Sequence, residues 1–270
     1  MIAGKTYFVS LSSGSNGNCY YICNGDKAIL IDAGIGPRTI RKRLKDLNLP
    51  FENIVGLFVT HDNIDHIKGA GPLAEKFFIP VYSTEFILQG MNRCYGMTQK
   101  IRKENTRTME KDVEIELFGF KITAFHVSHD GTDNVGYKII SNDSCITLVT
   151  DTGYITEQSI PHIKQANLLV IESNYDEKML KNGPYPIDLQ NRIRGNEGHL
   201  CNDCTADFLA NNYENHLHHI LLCHLSKDNN TPEIAYETIS KALLHAGIST
   251  KKDVYLEALP RNLASRIFII

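Results

Sequence analysis

Four apolar runs in this chain pass directly into histidine or aspartate, and this repeated junction limits the possible folds more than any other feature. The junctions, written as run and continuation, are IVGLFV–THDNIDH, KITAFHV–SHD, ITLV–TDTG and HILL–CHLS. Strand ends at one edge of a sheet share a rim, where loops carry function on a rigid scaffold. Nitrogen and oxygen ligands held about 2 Å from an ion are what a divalent metal needs. One such residue alone usually caps a turn or faces water, whereas four junctions in succession predict a metal site.

Strand patterns alternate with helical patterns along the chain. Short β-rich runs predict strands at TYFVSLS, CYYIC, KAILIDAG, IVGLFVT, DVEIELF, FKITAFHV, VGYKIIS, CITLVTD, NLLVIESNY, HHILLCH and DVYLEAL. Helices are predicted after Gly36-Pro37, at IKGAGPLAEKF and ITEQSIPHIKQ, over 176–213 and at TPEIAYETISKALLHAG. No linker-like segment divides the sequence. The patterns predict an α/β chain with mixed sheets, consistent with two sheets packed face to face with helices outside, as a single domain over 1–270.

The size and charge of the chain limit the classes of protein it can belong to. Its 270 residues suffice for a sizeable core. A net charge of −3 with 22% charged residues does not indicate a nucleic-acid binder, although a local basic groove is compatible with it. The N-terminus lacks a basic segment followed by an apolar core, and no window approaches 18 apolar residues. We therefore expect neither a signal peptide nor a membrane span.

The seven cysteines lie mostly in apolar runs, such as those around Cys145 and Cys223, which is typical of buried thiols. This favours a cytoplasmic location. Cys201 and Cys204 form a C-x-x-C pair, but no second pair follows at zinc-ribbon spacing. Because the pair also lies at the predicted start of a helix, we do not expect it to have a specific function.

The junction THDNIDH, residues 60–66, has the spacing of a two-metal motif, H-x-H-x-D-H, except at Asn63. Together with the other junctions it resembles the metallo-β-lactamase superfamily and, within it, the YycJ-type hydrolases. The resemblance is carried over residues 11–233 by SLSSGSNGN, LIDAG, THDxxDHIKG, VSHD, TDTG, IESN, GPYPxxLxxRI, GHL and HLSxxNNTPE. It implies an αβ/βα four-layer sandwich of two mixed β-sheets flanked by helices, with a dinuclear metal site.

The resemblance also implies the ligands of two divalent metal ions. The expected metal is zinc, or else manganese or iron. The seven positions are His61, Asn63 and His129 for the first ion, Asp65, His66 and His224 for the second, and Asp151 as the bridge. A bridging carboxylate keeps two cations close while offsetting their repulsion. A water or hydroxide held between them has its pKa lowered to about 7.

Asn63 departs from the pattern, because its amide offers a neutral carbonyl oxygen where the family has an imidazole nitrogen. Such an oxygen suits harder ions such as Mn²⁺, Mg²⁺ or Ca²⁺ better than zinc, and the shorter side chain reaches less far. Three interpretations are open: the first site is weak and partly empty, it prefers a harder ion, or the chain has lost its activity and keeps the fold. We favour an active or weakly active enzyme, since the other six positions are present.

Further candidate residues surround the expected ligands. Asp65 and His199 are the candidate catalytic residues. The resemblance implies that His199, in GHL, lies near the ions and protonates the leaving group. Asp32, in LIDAG, is expected to orient the metal-binding loop, and Asp130 is a candidate partner of His129.

Two groups of residues are candidates for contact with phosphate. Ser13 and Asn16 belong to the loop SSGSNGN, whose N–H groups and hydroxyls suit an anion, although a plain flexible hairpin is the commoner role of such a loop. Arg192 and Arg194, in NRIRG beside GHL, lie nearest the expected site among the basic clusters and are candidates for binding a phosphate backbone.

These expectations favour a metal-dependent hydrolase, a phosphodiesterase or exonuclease that acts on nucleic acid through a metal-bound hydroxide. The substrate class follows from the resemblance alone, because one fold hosts many chemistries. A thioester- or lactone-type hydrolase is one alternative, and it requires a hydrophobic pocket beside the metals. A weakly active or non-catalytic metal-binding protein is another, because of Asn63. No oligomeric state is predicted.

Overall fold

Fourteen strands, nine α-helices and a short 3-10 helix, Lys103–Asn105, make up the fold in a computed structural model that describes residues 4–270. Strands β1–β14 are Tyr7–Ser12, Cys19–Cys23, Ala28–Ile31, Ile54–Phe58, Val81–Ser83, Thr106–Thr108, Glu114–Leu117, Phe120–His126, Val135–Ser141, Ser144–Val149, Leu168–Glu172, His219–Cys223, Tyr255–Ala258 and Phe268–Ile269. Helices α1–α9 are Pro37–Asp46, Ile64–Ile67, Ala70–Phe77, Glu85–Arg93, Ile160–Ile163, Glu177–Asn182, Ile187–Arg194, Asn202–Asn212 and Pro232–His245.

The strands form two sheets of seven, in the orders β14-β1-β2-β3-β4-β5-β6 and β13-β12-β11-β10-β9-β8-β7. Each sheet is antiparallel in one half and parallel in the other. The parallel halves run from β3 to β6 in the first sheet and from β10 to β13 in the second. The carboxyl ends of parallel strands lie at the same edge of a sheet. Three of the four junctions, after β4, β10 and β12, therefore lie at such edges.

Alternating side chains of the second sheet separate two layers of apolar packing. In β11, Leu168 and Val170 pack in the core shared with the first sheet, whereas Leu169 and Ile171 pack in the cluster under α8 and α9. This period of two is the pattern of a strand buried on both faces. On the other side, α1, α3 and α4 pack against the first sheet. The four-layer sandwich of two mixed sheets is thus confirmed.

The structure also contains elements that the sequence analysis does not predict. Residues 78–108 hold β5, α4 and β6, of which the two strands are only three residues long. The helix predicted at ITEQSIPHIKQ is reduced to α5, because the hydroxyl of Thr156 accepts a hydrogen bond from the N–H of Ser159 and closes a turn before it. Across residues 4–270, no helix combines the length and apolar character required to cross a membrane.

Candidate metal centre

The four junctions meet between the two sheets and bring the predicted ligands together. His61 follows β4, His129 follows β8, Asp151 follows β10 and His224 follows β12. The ring centroid of His61 lies 4.0 Å from that of His66 and 5.0 Å from that of His129. The rings of His66 and His224 are 5.9 Å apart. The carboxylate of Asp151 lies among these rings.

Asp151 occupies the position that the sequence analysis gives to the bridging ligand. Its Oδ2 is 3.2 Å from Nε2 of His66. Its Oδ1 is 3.8 Å from Nε2 of His129 and 3.2 Å from Nδ1 of His224. Burial alone would raise the pKa of this carboxyl, but His224 and His66 hold its pKa well below the usual range. Asp151 is therefore a buried anion, a group that needs cationic partners.

Hydrogen bonds fix which ring nitrogen of His66 and His61 faces the centre. Nδ1–H of His66 donates to Oδ2 of Asp32 at 2.7 Å, since a carboxylate can only accept. The hydroxyl of Thr60 donates to the same oxygen at 2.8 Å, so it accepts from Nδ1–H of His61 at 3.0 Å. In both rings Nε2 is therefore the nitrogen turned toward the centre, as in metal-binding histidines.

The other two predicted ligand histidines are held in the same tautomer. Nδ1–H of His129 donates to the carbonyl oxygen of Gly198 at 3.0 Å. Nδ1–H of His224 donates to Oε1 of Glu172 at 3.0 Å. In each ring Nε2 is then the nitrogen available to a metal ion, which would displace any proton bound there.

The donor atoms fit a divalent cation. Within the described chain, the buried Nε2 atoms of His61 and His224 have no hydrogen-bond partner, which costs free energy that a bound cation would recover. His61, His66 and Asp151 offer ligand atoms within 4.8 Å of one another, and so do Asp65, His66 and His224. Burial and the neighbouring His66 hold the pKa of His61 well below its usual value, so this ring is neutral and able to ligate.

Asn63 lies where the imidazole of the family pattern would be. It is half-buried and immediately precedes α2. Its amide nitrogen is 3.4 Å from Nε2 of His129, and Oδ1 of Asp130 is 3.3 Å from the same atom. Rotating the amide by half a turn exchanges its nitrogen for a neutral carbonyl oxygen. The short side chain thus reaches the first group of ligands, but its oxygen is a weaker ligand for zinc than imidazole.

Glu172 is a site residue that the sequence analysis does not identify. It ends β11, and its Oε1 accepts hydrogen bonds from Nδ1–H of His199 at 2.7 Å and of His224 at 3.0 Å. Its Oε2 accepts from the N–H of Thr152 at 2.8 Å. Burial raises the pKa of Glu172, but His199 and the other donors bring the pKa below its usual value. The signal in the sequence is a carboxylate that ends the otherwise apolar strand LLVIE.

The SSGSNGN loop holds the centre rather than presenting Ser13 to a substrate. The buried hydroxyl of Ser13 accepts from the main-chain N–H of His224 at 3.0 Å, which corrects its predicted contact with phosphate. Asn18, which the sequence analysis does not single out, has its Nδ2 2.9 Å from Nε2 of His66 and 3.4 Å from Oδ2 of Asp65. The loop therefore packs against the ligands themselves.

A cavity of about 330 Å³ opens over the centre. Its polar lining includes Asp130, Asn174, Arg192, His199 and Ser226, and the SSGSNGN loop contributes Ser15. Asn16 is exposed and does not belong to the lining, so Ser15 takes the place predicted for it. Its apolar lining includes Tyr185, Leu189 and Ile193.

Of the two arginines predicted to bind phosphate, the structure places one at the cavity. Nε of Arg192 donates to Oδ2 of Asp130 at 3.0 Å, and this bond lowers the pKa of Asp130 against the effect of burial. Arg194 lies outside the lining and pairs with Glu177, with 2.6 Å between Nε and Oε1. Residues two apart on α7 face different directions, so Arg194 does not reach the cavity, and its contact with phosphate stays a prediction.

Three residues of the centre have a left-handed main chain. Their φ angles are 59° for Asp32, 49° for Asp151 and 53° for His224. Each such conformation costs about 1–3 kcal/mol in a residue other than glycine, and aspartate and histidine tolerate it better than most. The hydrogen bond from the N–H of His224 to Ser13 is one of the contacts that hold it. Outliers of this kind are concentrated at functional sites.

The chain is similar to known proteins in sequence and in structure. Residues 27–220 match the family described as "Beta-lactamase superfamily domain". Exodeoxyribonuclease YycJ of Bacillus anthracis is 36% identical over 246 residues, covering 89% of this chain and 90% of that protein. Exodeoxyribonuclease WalJ of Streptococcus pneumoniae is 33% identical over 250 residues, or 90% of each chain. The metallo-β-lactamase fold protein YhfI from Bacillus subtilis superimposes with a TM-score of 0.72, over 98% of this chain and 100% of that one, at 15% identity.

Proposed function

This chain belongs to the metallo-β-lactamase superfamily, and on that premise we propose that it is a metal-dependent exonuclease that hydrolyses phosphodiesters of DNA. The observation that carries the proposal is the set of four histidines with fixed Nδ1 atoms that gather around the buried carboxylate of Asp151 beneath an open cavity. The two relatives described above are named exodeoxyribonucleases, which supplies the substrate class.

Seven residues would hold the ions. We assign His61, Asn63 and His129 to the first ion, Asp65, His66 and His224 to the second, and Asp151 to both. When bound, such ions act as Lewis acids that activate water and stabilise the charge developing on a phosphodiester. We propose zinc, or manganese or iron, with a weaker first site that accepts a harder ion because of Asn63.

Residues around the ions would orient the substrate and the attacking water and donate a proton to the leaving group. His199 lines the cavity and has its Nδ1 held by Glu172, which leaves Nε2 as the atom that would donate a proton to the leaving oxygen. Arg192, anchored on Asp130, would bind a phosphate oxygen at the mouth of the cavity. Asp65 lies 3.6 Å from both Nε2 of His66 and Nε2 of His224 and would combine ligation with orientation of the water.

The cavity favours a phosphodiester over the alternative substrates. A thioester or lactone would bind best in a hydrophobic pocket, whereas this lining combines apolar side chains with Arg192 and His199, which can donate hydrogen bonds to a phosphate. We further propose that residues 1–270 form a single domain and that the protein is cytoplasmic. The free state of all seven cysteines in the described chain supports the second of these proposals.

Cleavage of 5′-labelled single-stranded DNA by the purified protein, with Mn²⁺ or Zn²⁺ added, tests the proposed function. We expect nucleotides to be released from one end, with loss of activity in chelator and in an Asp151→Asn variant. Thioester and lactone substrates are assayed in parallel. Hydrolysis of a thioester alone would refute the nuclease, and the absence of hydrolysis with every ion would indicate a non-catalytic metal-binding protein.

A further inference from the structure

A second arginine, Arg261, lies in the segment that follows β13; it is outside the cavity lining but hydrogen-bonds to Ser15, which belongs to that lining. The main chain of Arg261 is fixed by two residues of the SSGSNGN region: its carbonyl oxygen accepts from the N–H of Ser13 at 3.2 Å and from the hydroxyl of Ser12 at 2.9 Å. The guanidinium of Arg43, on α1, donates to the carbonyl oxygen of the next residue, Asn262. The backbone that carries the Arg261 side chain is therefore held at several points.

The guanidinium of Arg261 lacks a counter-ion. Among residues 4–270, no carboxylate lies within 4.0 Å of it, whereas Arg192 and Arg194 are paired with Asp130 and Glu177. Its Nη2 donates one long hydrogen bond, 3.4 Å, to the hydroxyl of Ser15. Its Nε is buried and has no partner in the described part of the chain. A cation partly removed from water without a paired anion is unfavourable, which indicates that a negatively charged partner is missing.

The surroundings of Arg261 connect it to the cavity. Ser15 and Tyr185 both line the cavity, and Ser15 accepts the hydrogen bond from Arg261. Asp228 acts on Arg261 electrostatically, but it accepts a hydrogen bond from the hydroxyl of Tyr185 at 3.0 Å, so this carboxylate already has a partner. Burial lowers the pKa of Arg261, and Asp228 and Tyr185 only partly offset that effect. The side chain of Arg261 packs against Gly14, where an added Cβ would lie only 3.3 Å from Nε of Arg261.

We propose that Arg261, together with the hydroxyl of Ser15, binds a second phosphate of the DNA strand, next to the phosphodiester that is cleaved. This inference rests on the proposed phosphodiesterase function and adds a subsite to it. A guanidinium has paired N–H donors that match two oxygens of one phosphate, and a serine hydroxyl donates a third hydrogen bond. The enzyme would then distinguish a strand from an isolated phosphodiester by the phosphate at Arg261.

Short thymidine substrates test the subsite directly. TpT has one phosphate, whereas pTpT and TpTp carry a second one on either side. For the wild-type protein we expect a KM at least about tenfold lower for one of the two-phosphate substrates than for TpT. A charge-assisted pair of hydrogen bonds to the second phosphate is strong enough to produce such a difference. In Arg261→Gln the ratio of the two KM values should fall to about one. Arg261→Lys should give an intermediate ratio, because it keeps the charge and loses the paired donors.

Arg107→Gln is the matched control. Arg107 is an exposed arginine on β6 that binds only the main-chain carbonyl oxygens of Glu104 and Thr106, so its loss removes the same charge and leaves the KM ratio unchanged. Thermal unfolding of each variant confirms that it is folded. A wild-type KM that is equal for all three substrates, or a ratio that is preserved in Arg261→Gln, would overturn the proposed subsite.

A binding measurement separates failure of the subsite from failure of the proposed function. If the wild-type protein cleaves none of the substrates, the nuclease proposal fails, but the subsite is still measurable by fluorescence anisotropy with a labelled phosphorothioate oligonucleotide. Losing one phosphate contact should flatten the slope of log affinity against log salt by about 0.7 in Arg261→Gln. An unchanged slope in that variant would refute phosphate binding by Arg261.

Discussion

The buried carboxylate of Asp32 accepts a hydrogen bond of 2.7 Å from Nδ1–H of His66, and this single contact sets the direction of a ligand ring. Asp32 also accepts from the N–H and the hydroxyl of Thr60, both at 2.8 Å. The main chain of Asp32 is in the left-handed conformation, with a φ angle of 59°. Burial raises the pKa of Asp32 and His66 opposes that rise, so the carboxylate and the ring are mutually dependent.

Asp32→Asn should weaken metal binding without disturbing the backbone. Asparagine has the same shape and tolerates a left-handed conformation, but it removes the charge that makes His66 a stronger ligand. We expect metal affinity to fall about 10- to 100-fold, measured by competition with a coloured chelator. Asp26→Asn, at an exposed position, is the control. Equal affinity in the wild type and Asp32→Asn would contradict the role assigned to Asp32.

Asn63→His should raise the metal content of the first site. The amide of Asn63 lies 3.4 Å from Nε2 of His129, so the longer imidazole is expected to offer a nitrogen to the same ion. Elemental analysis after identical purification should give close to one additional zinc per chain in the variant. If both proteins carry equal metal per chain, Asn63 does not weaken the site.

The sequence was sufficient to predict the fold and the clustering of candidate ligands because both depend on local patterns. An apolar strand that runs into THDNIDH or TDTG specifies a strand and a rim residue together, and the structure brings His61, His66 and Asp151 within 4.8 Å. The four layers follow from strands that are apolar on both faces and therefore need cover on both sides. These features can be predicted without knowing which distant segments of the chain are in contact.

Residues whose role depends on distant contacts were not predictable in this way. Glu172 ends an ordinary buried strand, and only the fold shows that it holds His199 and His224, 27 and 52 positions away. Arg261 belongs to no recognisable motif, and it hydrogen-bonds to Ser15, which lies 246 positions away in the sequence. Conversely, Arg194 looked suitable from its position beside GHL, but the direction of its side chain on α7 pairs it with Glu177.

His199→Gln should separate proton transfer from metal binding. His199 lines the cavity and is held by Glu172 at 2.7 Å, but it belongs to neither of the two proposed ligand triplets. We expect activity on DNA to fall about 10²- to 10⁴-fold, the usual range for loss of a general acid, while the metal content stays constant. His218→Gln, at an exposed histidine, is the control. A parallel loss of metal would instead make His199 a ligand.

The thiol of Cys204 should react with alkylating reagents at a lower pH than an ordinary cysteine. Cys201 precedes α8 and its Sγ accepts from the N–H of Cys204 at 3.1 Å. The side-chain hydrogen bond from Cys201 lowers the pKa of Cys204 from 9.0 to about 7. The folded thiol therefore ionises between these values while the unfolded one stays protonated. The resulting stabilisation is full above the unfolded pKa and is lost as the pH falls through the folded one.

The pH dependence of iodoacetamide labelling at Cys204, followed by mass spectrometry of its peptide, checks this ionisation. We expect a midpoint near the pKa of about 7 in the wild type. Cys201→Ala removes the donor and should move the midpoint toward 9.0, the ordinary value for a thiol. Cys201→Ser keeps a hydroxyl donor and a helix cap, so its midpoint should remain low. A midpoint that is the same in the alanine and serine variants would show that Cys201 does not set the ionisation of Cys204.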